Sequence, residues 1–178
     1  MCSSDLASCS GPVALTELGL RKCQLGSDAV ALLAASPLLG RLRTLDLNQN
    51  EIDAAGVAAL TRSPHLPELT TLGLAVNRID SAAVRALADC PRLARLTTLW
   101  LWRNQIDAEG AAALANSPHL SSLKALQMVG NRIGDAGARA LAVSPHLNGL
   151  THLSLGDNRI GPEGKAALRE RFGAAVEV

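Results

Sequence analysis

Apolar positions recur along this chain at an interval too long for a single helix or strand. A leucine occurs every 27 residues in six successive copies, and a second leucine follows each one three residues later. The first leucines of the six copies are Leu15, Leu42, Leu69, Leu96, Leu123 and Leu150. A fixed period of this length predicts a stacked repeat protein, in which each copy adds one layer to a continuous core.

Every copy has the same order of apolar and polar positions, L-x-x-L-x-L-x-x-N/C-x-L/I, with Met128 in place of one leucine. The L-x-L part alternates with a period of two, which predicts a short strand with one buried face. The N/C position is filled by Cys23, Asn50, Asn77, Asn104, Asn131 and Asn158. We expect the asparagines to form a buried structural ladder, because an amide can donate and accept hydrogen bonds toward neighbouring turns.

The second half of each copy predicts a helix. In the Ala-rich segment 53–63, Asp53 can accept hydrogen bonds from the free N–H groups of the first turn. Asp80 and Asp107 have the same predicted role, whereas Pro162 occupies the first turn in the last copy. We expect a proline to end each earlier helix; these are Pro37, Pro64, Pro91, Pro118 and Pro145.

One strand and one helix per copy predict an α/β fold in the form of a right-handed solenoid. Parallel strands then stack on one side and helices on the other. Helices are wider than the strand spacing of about 4.8 Å, so the stack curves. The strands are expected on the concave face and the helices on the convex face, as in a horseshoe.

These motifs resemble the leucine-rich repeat family, over about residues 12–172. A second motif, G-x-x-A-L, resembles the ribonuclease-inhibitor-like subclass, here with bacterial-type repeats of 27 residues. It contains Gly56, Gly110, Gly137 and Gly164, each followed four residues later by Leu60, Leu114, Leu141 or Leu168. Ala29 and Ala83 replace the glycine in two copies. The resemblance implies a curved solenoid that binds proteins and performs no chemistry of its own.

Three regions are expected along the chain. Residues 12–172 form six repeats, and residues 173–178 form a C-terminal cap strand, because Val176 and Val178 alternate and Phe172 can close the core. Residues 1–11 are irregular. Residues 2–6, "CSSDL", match a translated sequencing-adapter tail, so we expect residues 1–6 to be a non-native scar and the array to be part of a longer protein.

Charge and hydropathy argue against several kinds of partner. The chain has 17 Lys and Arg and 16 Asp and Glu, a net charge of +1, so we expect no nucleic-acid partner. No apolar run reaches the roughly 18 residues of a membrane span, and we expect no membrane association. The N-terminus has no basic segment followed by an apolar one, which favours a cytoplasmic location.

The sequence contains no arrangement typical of an enzyme, a metal site or a cofactor site. The four cysteines include no C-x-x-C pair, and no nucleotide-binding, serine-hydrolase or zinc-protease motif occurs. Cys23 and Cys90 stand where other copies have Asn and Ser. Three histidines belong to the repeated phrase Ser-Pro-His-Leu, which indicates a structural role: His65, His119 and His146. We therefore expect no enzyme activity, no metal and no cofactor.

Residues that differ between copies can determine which partner is bound. Alternation places Leu99 and Leu101 in the core, so both tryptophans of the chain, Trp100 and Trp102, are predicted on the concave surface. Tryptophan and arginine are common at the centres of interfaces. The remaining candidate partner-binding residues are Arg103, Asp46, Asn48, Val76, Gln127, Val129 and His152, with Ala75 in the apolar patch and Gly73 as a notch beside Trp100.

The sequence thus predicts a non-enzymatic protein-interaction module that is a monomer or part of a longer chain. Three alternatives stay open at this point. The array could regulate a partner enzyme, as GTPase-activating or ribonuclease-inhibiting proteins with similar repeats do, with Arg103 as the residue supplied. It could be a passive spacer within a larger protein. A second copy or another domain could also cover the indoles.

Overall fold

The computed structural model describes residues 15–178. The expected scar at 1–6 and irregular segment at 1–11 therefore lie outside the described residues. Seven strands are β1 Glu17–Gly19, β2 Thr44–Asp46, β3 Thr71–Gly73, β4 Thr98–Trp100, β5 Ala125–Gln127, β6 His152–Ser154 and β7 Val176–Glu177. Six α-helices are α1 Ser27–Ala34, α2 Ala54–Arg62, α3 Ser81–Ala88, α4 Ala108–Ala115, α5 Gly134–Ala142 and α6 Pro162–Phe172.

The strands form one parallel sheet in sequence order, β1 to β7. Equivalent residues of successive copies pair in register: Leu18, Leu45, Leu72, Leu99, Leu126 and Leu153. Each helix packs against the next helix along the chain. Packed helices lie about 8–10 Å apart and strands about 4.8 Å apart, so the stack curves with the sheet inside. The predicted α/β solenoid is confirmed, and we call the solvent side of its sheet the concave face.

The core is a set of apolar columns between the sheet and the helices. In the second to fifth copies the motif's leucine, isoleucine and methionine side chains are almost completely buried. The equivalent Leu18, Leu20 and Leu25 of the first copy are only partly buried, because no other described residue stacks outside β1. At the opposite end, β7 pairs with β6, and Phe172 packs against the core. The ends of the described array are therefore unequal.

Helix starts follow the predicted chemistry. Asp53, Asp80 and Asp107 precede α2, α3 and α4, and each side chain accepts hydrogen bonds from N–H groups of the first turn. The helices end before the prolines that we expected to stop them, because a proline ring disfavours α-helical backbone at the residue before it. The prolines then start new turns: Pro37, Pro91 and Pro118 each begin a 3-10 helix. Between residues 15 and 178, no helix has the length and apolar character to cross a bilayer.

Serine side chains connect neighbouring layers on the helix side. In the second copy, the Ser63 hydroxyl donates to the Ala34 carbonyl at 2.5 Å. Ser117 and Ser144 make the equivalent bonds in the fourth and fifth copies. Cys90 occupies this position in the third copy, and its Sγ lies 3.4 Å from the Thr61 carbonyl oxygen. Cys90 is therefore a buried substitute for serine.

Candidate functional site on the concave face

The two tryptophans lie on the solvent side of the sheet, at its centre. Leu99 and Leu101 are 0% exposed, whereas Trp100 and Trp102 between and after them are partly exposed. The parallel ladder continues beyond the end of β4, because the Leu101 N–H donates to the Gln127 carbonyl. Both indoles therefore project from one continuous extended segment onto the concave face.

Small and apolar residues flank the indoles on the adjacent layers. Trp100 pairs with Gly73 on one side and with Gln127 on the other. The Val76 N–H donates to the Trp102 carbonyl at 2.9 Å, which holds the partly exposed Val76 beside it. Val129 is partly exposed on the following layer, two residues after Gln127. The centre of the concave face is thus a largely apolar surface across three layers, with Gln127 as a polar side chain beside Trp100.

Two residues expected on this surface are buried, so those expectations are wrong. Asn48 is only 4% exposed, and its Oδ1 accepts from the Ala75 N–H at 2.6 Å. Ala75 is 0% exposed, because a methyl group flanked by the larger Asn48 and Trp102 is covered. The expected notch at Gly73 is partly filled as well: a Cβ there would lie 2.8 Å from Asn48 Nδ2. Asn48 is a link between layers and not part of a rim.

Asp46 and His152 lie at opposite ends of the concave face. Asp46 is partly exposed, and its Oδ1 accepts from the Asn48 N–H. His152 Nε2 lies 3.1 Å from Ser154 Oγ, and Ser154 donates to Glu177 Oε2 at 2.9 Å. These three polar residues could not be connected from the sequence, because Glu177 reaches Ser154 only through the pairing of β7 with β6. The carboxylate bonds the serine and not the histidine, unlike the order in a catalytic triad.

A turn with left-handed backbone follows each strand. Its residue has φ between +53° and +72° in all six layers: Lys22, Gln49, Val76, Arg103, Gly130 and Asp157. Only one of the six is a glycine, so the sequence did not reveal this constraint. Left-handed backbone costs non-glycine residues roughly 1–2 kcal/mol, and more for a β-branched side chain. The turn holds Val76 and Arg103 at the border of the apolar surface.

The asparagine side chains connect consecutive turns behind this surface. Asn104 Oδ1 accepts from the Asn77 and Ile79 N–H groups, and its Nδ2 donates to the Leu74 and Leu101 carbonyls. Asn50, Asn77, Asn131 and Asn158 make similar bonds in their own layers. Asn77 is partly exposed, whereas the other four are buried. Cys23 is exposed in the first layer, and its N–H donates to Asn50 Oδ1.

Two of the helix-capping carboxyl groups have pKa values below the ordinary value of 3.8. A hydrogen bond from the Ser27 hydroxyl is the largest cause for Asp53, and one from Ser81 is the largest cause for Asp107. N–H groups at the helix start lower both pKa values further. These bonds stabilise the charged form at the helix N-terminus, so the groups are structural. Among residues 15–178, no three His, Cys, Asp or Glu side chains are grouped to hold a metal ion.

Comparison with known proteins identifies the repeats. A family model described as "Leucine Rich repeat" matches residues 42–60, 96–115, 119–142 and 146–168. A leucine-rich repeat protein of Leptospira interrogans has a similar structure, with a TM-score of 0.51 and 21% identity over 80% of this chain and 32% of its own. An internalin of Listeria monocytogenes has a TM-score of 0.45 and 23% identity, over 84% of this chain and 50% of its own.

The chain therefore spans less than two thirds of the length of either structure. No match was found among curated proteins. The matching model is described only as a leucine-rich repeat, so the ribonuclease-inhibitor-like assignment stays a prediction. The matched repeats, the recurring L-x-x-L-x-L-x-x-N motif and the parallel sheet of stacked layers show that this chain belongs to the leucine-rich repeat family.

Proposed function

We propose that this chain is a non-enzymatic module that binds a protein partner on its concave face, around Trp100 and Trp102. The observation that carries the proposal is the pair of partly exposed indoles beside the fully buried Leu99 and Leu101. Indole side chains on a surface cost free energy until they are covered, and tryptophan is enriched among the residues that dominate binding energy. A cytoplasmic location remains part of the proposal.

The composition of the surface supports this function. Val76 and Val129 extend the apolar area on the layers beside the indoles, while Arg103, Asp46 and His152 lie around it. An apolar centre with polar groups at its margin is the usual arrangement of a protein interface. The matched family also supports binding, because its stacked layers present an extended concave surface.

The test separates folding from binding with two matched double variants. Trp100→Ala with Trp102→Ala should leave the fold intact, because the indoles lie outside the core. Leu99→Ala with Leu101→Ala should cost about 2–5 kcal/mol per site, because each leaves a cavity among buried side chains. Thermal melting and capture of proteins from an extract of the native cells are measured for both variants and for the parent chain.

We expect the tryptophan variant to stay folded and to lose a partner that the parent chain captures. A tryptophan variant that melts as early as the leucine variant would place the indoles in the core. A tryptophan variant that stays folded and retains every partner would leave the concave face without a function, as expected of a passive spacer.

A second candidate function is regulation of a partner enzyme through Arg103. Its guanidinium is exposed and forms no salt bridge within residues 15–178, so it is free to enter another protein's active site. Purified small GTPases mixed with the chain should then hydrolyse GTP faster, and Arg103→Ala should abolish the increase. Binding without any change in hydrolysis would favour the simpler proposal.

A further inference from the structure

We infer that the concave face selects a partner segment that is acidic and carries large apolar side chains. This rests on the proposed function and adds the chemistry of the partner. The inference depends on where charges lie across the sheet, which is uneven although the chain as a whole has a net charge of only +1.

The central three layers of the concave face contain one charged residue. Segments 71–76, 98–103 and 125–130 include β3, β4, β5 and the turns after them, and Arg103 is the only ionised side chain in the three. Carboxylates of this face belong to layers outside these three: Asp46 on β2, whose Oδ1 lies beside Gly73 and accepts from the Asn48 N–H, and Glu177 on β7. A partner that covers the indoles therefore meets an apolar surface with a positive and no negative charge at its centre.

Arg103 differs from Arg78 and Arg95 because no carboxylate compensates its charge. Arg78 pairs with Glu51 and Arg95 with Glu68, both at 2.9 Å. Arg103 forms no such pair in the described part of the chain, and its side chain is exposed beside Trp102. Its position is also restrained. A Cβ on Gly130 would lie 3.2 Å from Arg103 Cγ, so the missing side chain makes room for the arginine stem.

Further uncompensated cations border the same layers. Lys124 directly precedes β5 and Arg132 follows the turn at Gly130; both are exposed, and neither forms a salt bridge between residues 15 and 178. Asp107 pairs with Arg132 through the backbone. Its carboxylate, however, accepts from the Ser81 hydroxyl and from N–H groups of α4. Lys124 and Arg132 therefore add positive charge before and after β5, at the border of the three layers.

This arrangement favours one charge type in the partner. A carboxylate can form a charge-assisted, bidentate pair with the Arg103 guanidinium, while an apolar side chain covers the indoles. A basic segment would bring like charges together and leave Arg103 desolvated without a partner, which weakens binding. The face thus selects against basic partners as well as in favour of acidic ones.

The first experiment selects binders without assuming their identity. A displayed library of short random peptides is passed over the whole chain, after removal of clones that bind the Trp100→Ala, Trp102→Ala double variant. We expect the recovered peptides to be enriched in Asp and Glu together with Leu, Phe or Trp. Recovery of basic or uncharged peptides would overturn the inference while leaving the proposed function intact. Recovery of no tryptophan-dependent clone would contradict the proposed function itself.

The second experiment measures the contribution of the charge. The chain has two tryptophans and no tyrosine, so its emission reports on Trp100 and Trp102 alone. A recovered peptide without tryptophan is titrated against the parent chain and against Arg103→Gln. We expect the variant to bind about tenfold more weakly, since a charge-assisted bond is lost. Arg139→Gln is the control, because it removes the same charge from helix α5, on the side of the sheet opposite the concave face. Arg139 lies 3.6 Å from Glu163 there, so we expect its loss to leave peptide binding unchanged.

Three results would overturn the assignment. The first is an equal affinity for Arg103→Gln and the parent chain. The second is a change in emission with a single-stranded oligonucleotide at the affinity found for the peptide, which would indicate a nucleic-acid ligand. The third is a tryptophan-dependent dimer in sedimentation without any peptide, which would identify a second copy as the occupant.

Discussion

Two columns of residues pass through the same six layers, one inside the turns and one on the concave face. The first must form hydrogen bonds with buried backbone groups, and the second faces solvent. The ladder column contains asparagine in five layers and Cys23 in the first, and the amide of Asn104 bonds groups in two adjacent layers. The concave column contains Asp46, Gly73, Trp100, Gln127 and Ser154 in register. The first column is nearly uniform, whereas the second has five residue types in six layers, with glycine at both Gly19 and Gly73.

Buried polar groups explain this difference. In the ladder column a side chain must satisfy N–H and carbonyl groups that water cannot reach, and few side chains have both donors and acceptors at the right distance. In the concave column the pairing of the strands satisfies the backbone groups, and of the five named side chains Asp46 alone accepts from a backbone N–H, so the residue at this position is free to vary. The uniform column supports the stack, and the variable one is available to a partner.

The largest effect is expected from deletions that preserve or break the layers. Deletion of residues 69–95 removes one whole copy and should leave a folded, less stable array, because each layer contacts only its neighbours. Deletion of residues 81–88 removes only α3 but takes away the buried Val84 and Leu87. It exposes the cores of adjacent layers and should unfold the chain, since total stability is only about 5–15 kcal/mol. Circular dichroism and urea denaturation measure both.

Survival of the shorter deletion with a cooperative transition would show that a layer does not need its helix. The difference between the two columns could then not be explained by the needs of a complete layer.

The next effect is expected in the ladder column itself. Asn104→Ala leaves the N–H groups of Asn77 and Ile79 without an acceptor and should lower the free energy of unfolding by about 1–3 kcal/mol. The same change at the partly exposed Asn77 should cost less, because water can replace part of the amide. Urea denaturation gives both values, and an unchanged midpoint for Asn104→Ala would contradict the structural role of the column.

Smaller changes in the free energy of unfolding, one positive and one negative, are expected in the left-handed turns, where the backbone is the same in every layer and the residues vary. Val76→Asn should raise the free energy of unfolding by about 1 kcal/mol, because asparagine tolerates this backbone better than a β-branched residue. Gly130→Val should lower it by a similar amount or more, since its φ is +72° and Arg103 is close. Thermal melting of both should show opposite shifts, and equal shifts would argue against strain at Val76.

The smallest effect is a pH dependence at the helix caps. Folding lowers the pKa of Asp107, so its charged form stabilises the fold above the ordinary pKa of 3.8, and this contribution is lost as the pH falls through the lowered value. Asp107→Asn should therefore melt below the parent chain at pH 6 and approach it toward about pH 2. Ser81→Ala should narrow the same difference, because the Ser81 hydroxyl is the largest cause of the shift. A constant difference across this range would contradict the assignment.

The fold was predictable because its signal is repeated six times, whereas site details depend on single neighbours. Alternation assigned Leu99 to the core, capping chemistry assigned Asp107 to a helix start, and both assignments agree with the structure. The same alternation wrongly exposed Ala75, because exposure also depends on the size of the side chains next to it. The left-handed turns could not be predicted from composition, since only Gly130 marks them.

The hydrogen bonds between layers also determine how far apart along the chain the interacting residues are. The ladder bonds join residues 25 to 30 positions apart, and the bonds from serine to the preceding helix join residues 29 apart. Each contact therefore closes a loop of about one repeat, and no described strand pairs with a distant part of the chain. A polypeptide leaving the ribosome can dock each layer as soon as the next repeat has emerged. Synthesis and folding can thus proceed in the same direction and at the same pace, one layer at a time.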